Sequence, residues 1–185
     1  MTGIARDAAM ASSIVELAAA GDTVAFARIV AAYHADLVRV AFVVSGGNQD
    51  IADDATQSAW SIAWRRLGSL RDPARLKAWL VSVAANEARR QCRRQRSWRQ
   101  LRAEVVAIDP PSGPLAPDPA DHVASLDLER ALGRLSPDER ALLAMRYEAG
   151  LDSSEIAALA RRPAATVRWR LARLRDRLRK ELSDG

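Results

Sequence analysis

The chain has 185 residues, 49% of them hydrophobic, which is enough for two small packed domains but generous for one. Its 28 Lys and Arg against 23 Asp and Glu leave a formal charge of +5, which favours a polyanionic partner. The single cysteine, Cys92, excludes an internal disulfide. With only His34 and His122 beside it there is no zinc-ligand spacing, and the absence of a basic leader or a run of about 18 apolar residues argues against export and membrane insertion.

In chain order, Phe26, Ile29, Val30, Tyr33, Leu37, Val40, Ala41 and Val44 recur at threes and fours, predicting a helix with one buried face that Ser45-Gly46-Gly47-Asn48 ends. From Asp50 to about Leu67 a second helix is predicted. Ala52, Ala55, Thr56, Ala59, Trp60, Ala63 and Leu67 lie on one half of it, and a narrow polar stripe of Asp50, Asp54, Gln57, Ser58, Ser61 and Arg65 on the other. Trp60 and Trp64, large aromatics at helical spacing, are assigned to the core. The loop Gly68–Pro73 leads to a third helix from near Ala74, through Trp79, Leu80, Val83 and Ala84, into a basic tail. Pro110, Pro111, Pro114, Pro117 and Pro119, with Ser112 and Gly113, form a stretch that neither continues a helix nor packs a core and reads as an interdomain linker. A helical segment Leu126–Leu135 follows. Ser136-Pro137-Asp138-Glu139 then reads as an N-cap with Pro at the first helical position and acids in the first turn, opening a helix that ends at Gly150. A short helix over Ser153–Ala160, a turn at Arg161-Arg162-Pro163 and a long Arg-rich helix to about Leu182 complete the chain. The expected fold is all-α: a domain over 1–106, a flexible linker over 107–123 and a second domain over 124–185.

Three surfaces carry chemistry. The last two helices and their turn have the spacing of a helix-turn-helix, whose second helix reads bases in the DNA major groove from its N-terminal part. In that helix Val167, Leu171, Leu174 and Leu178 form an apolar stripe, while Ala165, Arg168, Trp169, Ala172 and Arg173 lie opposite. An Arg-rich amphipathic helix packed on its own domain would carry the same stripe, so the arginines and Trp169 are what point to DNA. Between Arg89 and Arg102 stand seven arginines and no acid, with Trp98 interleaved. That pattern suits a helix lying along phosphates with an aromatic ready to stack, and its plain alternative is a solvated helix end before a linker. The polar stripe from Asp50 to Arg65 is, on spacing alone, ordinary solvent-facing surface. Asp53 and Asp54 do not make a catalytic pair, because adjacent helical residues point about 100° apart and no His, Ser or Lys sits at partner spacing.

The stretch DDATQSAWSIAW from Asp53 resembles the segment of bacterial RNA polymerase sigma factors in which Asp, Gln, an aromatic and a final Trp recur. Downstream, LKAWLVSVAANEARRQCRR is similar to their basic-ended helix, and LGRLSPDERALLAMRYEAGLDSSEIAALARRPAATVRWRLARLRDRL to their C-terminal helix-turn-helix domain. Two domains and a linker are similar to the compact extracytoplasmic-function (ECF) group. The resemblance implies a non-enzymatic, cytoplasmic factor without a cofactor, whose partners are core RNA polymerase, promoter DNA and an anti-sigma factor. It implies that Asp54 and Gln57, with Asp50, Ser58 and Ser61 on the same stripe, contact polymerase. It implies that Asn86 holds a flipped minus-10 base in a pocket shaped by Arg71, Asp72, Pro73 and Arg75, with Arg89, Arg93, Arg94 and Arg96 on phosphates. It assigns the minus-35 element to Arg161, Arg162, Thr166, Arg168, Trp169, Ala172 and Arg173. Arg90 stands where the family usually has Asp, Trp169 where it has a small polar residue, and Ala55 and Thr56 where it has larger apolar ones, so promoter sequence does not carry over. A helix-turn-helix regulator of another class would explain the C-terminal part but not the Asp54/Gln57 stripe.

Overall fold

A computed structural model describes residues 13–105 and 132–183, and every regular element among them is helical. The Pro-rich linker and residues 126–131 of the Leu126–Leu135 segment lie outside the described residues. Helix α1 (residues 13–19) leads through Gly21, at φ 98°, to Asp22. The Asp22 carboxylate accepts from the N–H groups of Val24 and Ala25 at 2.8 and 2.9 Å, satisfying two of the donors that open α2 (Thr23–Ser45). The Asn48 side chain does the same for Ile51 at the start of α3 (Gln49–Arg66). Ala52, Ala55, Ala59 and Ala63 are all but fully buried, and their small volume lets α3 approach α2 and α4 closely. Two 3-10 turns, Leu67–Ser69 and Pro73–Arg75, replace the predicted plain loop. Helix α4 (Leu76–Val105) begins two residues later than expected and runs for 30 residues, about 45 Å at the α-helical rise. Its first half buries Leu76, Leu80, Val81, Ala84, Ala85 and Ala88 against α2 and α3.

The C-terminal unit opens at Ser136 with a reciprocal cap: the Ser136 hydroxyl accepts from Glu139 N–H at 3.2 Å while the Glu139 carboxylate accepts from Ser136 N–H at 2.8 Å. Helix α5 (Pro137–Leu143) widens into a π-helical turn over Ala144–Glu148, followed by Gly150 at φ 71°. A second reciprocal cap, Asp152 with Glu155, opens α6 (Ser153–Ala160), and α7 (Ala164–Ser183) follows one tight turn later. These three helices do not stand apart from the first domain. Leu135, Ala141, Ala144 and Met145 join the same buried cluster as Leu37, Val44 and Leu80, with α5 and the π turn packed on α2 and with α5 and α6 on α4.

Of the two tryptophans of α3 assigned to the core, Trp60 packs against it and Trp64 needs correction. Trp64 is 41% exposed and Trp60 only half-buried, because alanines fill the shared face of α3 and leave the indoles at its rim. Both rings meet Phe26 edge-on, at 5.9 Å for Trp60 and 4.9 Å for Trp64, and the Trp60 indole N–H donates to His34 Nδ1 at 3.2 Å.

Candidate nucleic-acid interface

The turn between α6 and α7 rests on Arg161, which takes a left-handed φ of 51° where glycine is the usual solution. Its N–H and that of Arg162 both donate to the Ala157 carbonyl, ending α6 within one residue. Val167, Leu171 and Leu174 are buried and Leu178 half-buried, so the opposite face of α7 is fixed: Ala165, Arg168, Trp169, Ala172 and Arg173 are exposed. Trp169 is 59% exposed and the Arg173 guanidinium lies over its ring, 5.4 Å from the centroid. This stacking holds one cation and one aromatic in a defined relation while leaving both open to a partner. Arg161 and Arg162 are exposed and Thr166 half-buried, its N–H bonded to the Pro163 carbonyl at 3.0 Å.

In the first domain the Asp72 carboxylate caps Ala74 N–H at 3.0 Å and pairs with Arg75 at 3.2 Å, so the turn before α4 is internally braced, with Arg71 exposed beside it. Asn86 is exposed on α4, and its side-chain carbonyl accepts from Arg89. Arg89 also donates to Asp138 of α5 at 2.7 Å, so it is not presented to a phosphate in this arrangement. Arg93, Arg94 and Arg96 are exposed. Trp98, 64% exposed, shares a shallow cavity with Arg90, Arg93 and Arg94, the interleaving that the sequence suggested. Arg90, the departure from the family pattern, bonds through two nitrogens to Glu87, which is itself 8% exposed.

On α3, Asp50, Asp54, Gln57 and Ser61 are exposed and Ser58 half-buried, all on the side away from the alanines. Gln57 and Ser61 edge a groove whose floor includes Val30, Val38 and Trp60, so polar groups surround an apolar strip there. Such a surface accepts another protein more readily than a polyanion.

Residues 29–98 match sigma-70 region 2 and residues 125–178 match sigma-70 region 4. The ECF RNA polymerase sigma factor SigM of Mycobacterium tuberculosis is 31% identical over 159 residues, covering 86% of this chain and 78% of that one. The chain belongs to the ECF RNA polymerase sigma factors. A probable RNA polymerase sigma factor, RfaY of Xanthomonas campestris pv. campestris, is 35% identical over 89% of this chain, and the matched part is 42% of that longer protein. The crystallised sigma factor RpoE in complex with the anti-sigma factor NepR, from Bartonella quintana, superposes with a TM-score of 0.68 at 26% identity, over 85% of this chain and 96% of that one. This sigma factor therefore recognises promoters in transcription initiation, with the all-helical, two-region architecture of its family. Among the described residues no helix is long and apolar enough to cross a membrane.

One residue central to the arrangement of the sigma factor had no signal in the sequence. Arg140, in the first helical turns after the Ser136 cap, reads as an ordinary surface cation, yet it is 5% exposed. Its Nε donates to the Val44 carbonyl at 2.8 Å and its Nη1 to the carbonyls of Leu132 and Leu135 at 3.1 and 3.2 Å. Burial, and secondarily the like charge of Arg96, push its pKa below the ordinary arginine value. It nonetheless stays charged at neutral pH.

Proposed function

We propose that the regions divide promoter recognition between them without any catalytic residue, in the cytoplasm, over a first domain of residues 1–106, a linker of 107–123 and a second domain of 124–185. The stripe of Asp50, Asp54, Gln57, Ser58 and Ser61 binds core polymerase. Asn86 holds a minus-10 base beside Arg71, Asp72 and Arg75, and Arg89, Arg93, Arg94 and Arg96 follow the phosphates. Arg161, Arg162, Thr166, Arg168, Trp169, Ala172 and Arg173 read and grip the minus-35 element. The observation that carries this reading is the two-sided α7. Its apolar stripe is used up inside the domain, and the arginines and Trp169 in its first turns are exposed immediately after a one-turn connection, as a recognition helix requires. An anti-sigma partner, of the kind the RpoE neighbour is crystallised with, is proposed as well.

The test is reconstitution. Purified protein added to bare core polymerase should give transcripts from discrete start sites, and the Asp54→Ala/Gln57→Ala protein should need a higher concentration to do so. A protein that binds duplex DNA but never associates with core polymerase would overturn the assignment of the α3 stripe.

A further inference from the structure

Among the arginines of α4 past Asn86, Arg90 is held by a buried acid. Its Nε donates to Glu87 Oε2 at 3.0 Å, and its Nη2 lies 2.8 Å from the same oxygen. Glu87 is buried in the body of the domain, whereas Arg90 is exposed. An arginine that served only to balance phosphate charge would gain nothing from this partner, because a carboxylate on the guanidinium cancels much of its field. What the pair supplies is orientation. Glu87 takes the Nε edge of the planar group, and the other edge, the fork of Nη1 and Nη2, is turned outward.

That fork opens onto the shallow cavity of 260 Å³ that Arg90 lines with Arg93, Arg94, Ser97 and Trp98. Arg90, Arg94 and Trp98 follow Asn86 at intervals of four, each turned about 40° further round the helix, so the cavity adjoins the Asn86 face. One interval is about 6 Å along the axis, which is about two base steps of DNA. Polarity at this place matters for the base it suits. The Asp usual in the family only accepts, as from the cytosine amino group, while a guanidinium only donates, and its bidentate match is guanine O6 and N7.

We propose that this cavity is a guanine-reading subsite of the promoter interface: the Arg90 fork, positioned by Glu87, takes O6 and N7 of a guanine exposed as the promoter opens, and Trp98 offers that base a stacking face. The inference rests on the assignment of Asn86, Arg93 and Arg94 to promoter DNA given above, and it adds Arg90 and Trp98 as specificity and stacking residues and Glu87 as a positioning residue.

Promoter selection with full-length holoenzymes tests it. Wild type should require guanine at one position within about two steps of the position whose preference Asn86→Ala relaxes. Arg90→Lys keeps the charge but has no fork, so it should lose that guanine preference and bind the selected promoter roughly tenfold more weakly, with the salt slope of wild type. Placing 7-deazaguanine at the position removes the N7 acceptor, and should weaken wild type while leaving Arg90→Lys unaffected. Trp98→Ala should weaken binding roughly tenfold with the guanine preference retained. Glu87→Gln should weaken preference at that position alone; if this buried variant does not fold, the surface variant Arg90→Lys decides. No guanine requirement near the Asn86 position, or an Arg90→Lys holoenzyme that still selects guanine, overturns the subsite. Wild-type affinity in Trp98→Ala overturns the stacking face, and a Glu87→Gln loss spread evenly over all positions overturns the positioning role. Failure of the underlying assignment shows separately, as an Asn86→Ala holoenzyme with wild-type preferences while Arg90→Lys has lost its guanine.

Discussion

Arg168 and Asp54 are both exposed charges on helices with a buried opposite face, and they differ in what surrounds them. Arg168 has Trp169 and Arg173 beside it, a cationic and aromatic surface suited to a groove edge. An Arg in the major groove most often takes guanine through O6 and N7, a contact worth about 1–3 kcal/mol of discrimination. Arg168→Ala holoenzyme should relax preference at one or two adjacent minus-35 positions and leave the others intact, read by parallel selection of promoter variants. Uniform weakening on every sequence would make it a phosphate contact instead. Asp54 is exposed one helical turn before Gln57, which with Ser61 edges the groove that Asp53 also lines. Asp54→Ala with Gln57→Ala should move thermal stability by less than about 0.5 kcal/mol per site while weakening the affinity for core polymerase measured by titration.

The helices themselves were mostly legible, because three- and four-residue spacing fixes which face is buried. Val167, Leu171 and Leu174 are buried and Arg168, Trp169 and Arg173 exposed as the spacing required, and Ser153–Ala160 is a helix with the predicted ends. Trp64 defeated the same reasoning, since aromatic size says nothing about whether alanines have already filled the interface. The Ser136 cap was visible in the sequence, but its electrostatics were not. Burial works upward on the Glu139 carboxyl, yet the hydrogen bonds from the Ser136 N–H and hydroxyl and the charge of Arg177, 3.2 Å away, outweigh it and hold its pKa below the usual value. A carboxyl whose folded value is depressed contributes stability above its unfolded pKa and loses it as pH falls through the folded one. The melting advantage of wild type over Glu139→Gln should therefore be full near neutrality and shrink below about pH 4, the range of unperturbed glutamate, as a thermal scan across pH would record. At the far end of α4, Arg93→Gln, Arg94→Gln and Arg96→Gln together should lower the salt slope of promoter binding by roughly one unit for each phosphate no longer neutralised. An unmoved slope would return that segment to solvent-facing surface.

For the whole molecule, the division into two regions was readable from the prolines, but their packing was not. Nothing in the local pattern around Arg140 or Val44 marks them as facing each other, because that contact joins positions 96 residues apart and depends on a helix end rather than a side-chain motif. Leu135, 1% exposed, sits in a buried cluster common to both regions. Calorimetry should accordingly show one cooperative transition, and Leu135→Ala should lower it by an amount near 2–5 kcal/mol rather than splitting it. The boundary also encloses Cys92, 5% exposed, with its sulfur 3.8 Å from the Val44 carbonyl that receives Arg140. Because the chain has no other thiol, an alkylating reagent has a single target, and that target is buried in the folded protein. The ratio of its labelling rate in the native protein to that in the unfolded chain counts the fraction of time the site lies open, so the molecule carries an internal clock for local opening around α4 that needs no engineered probe.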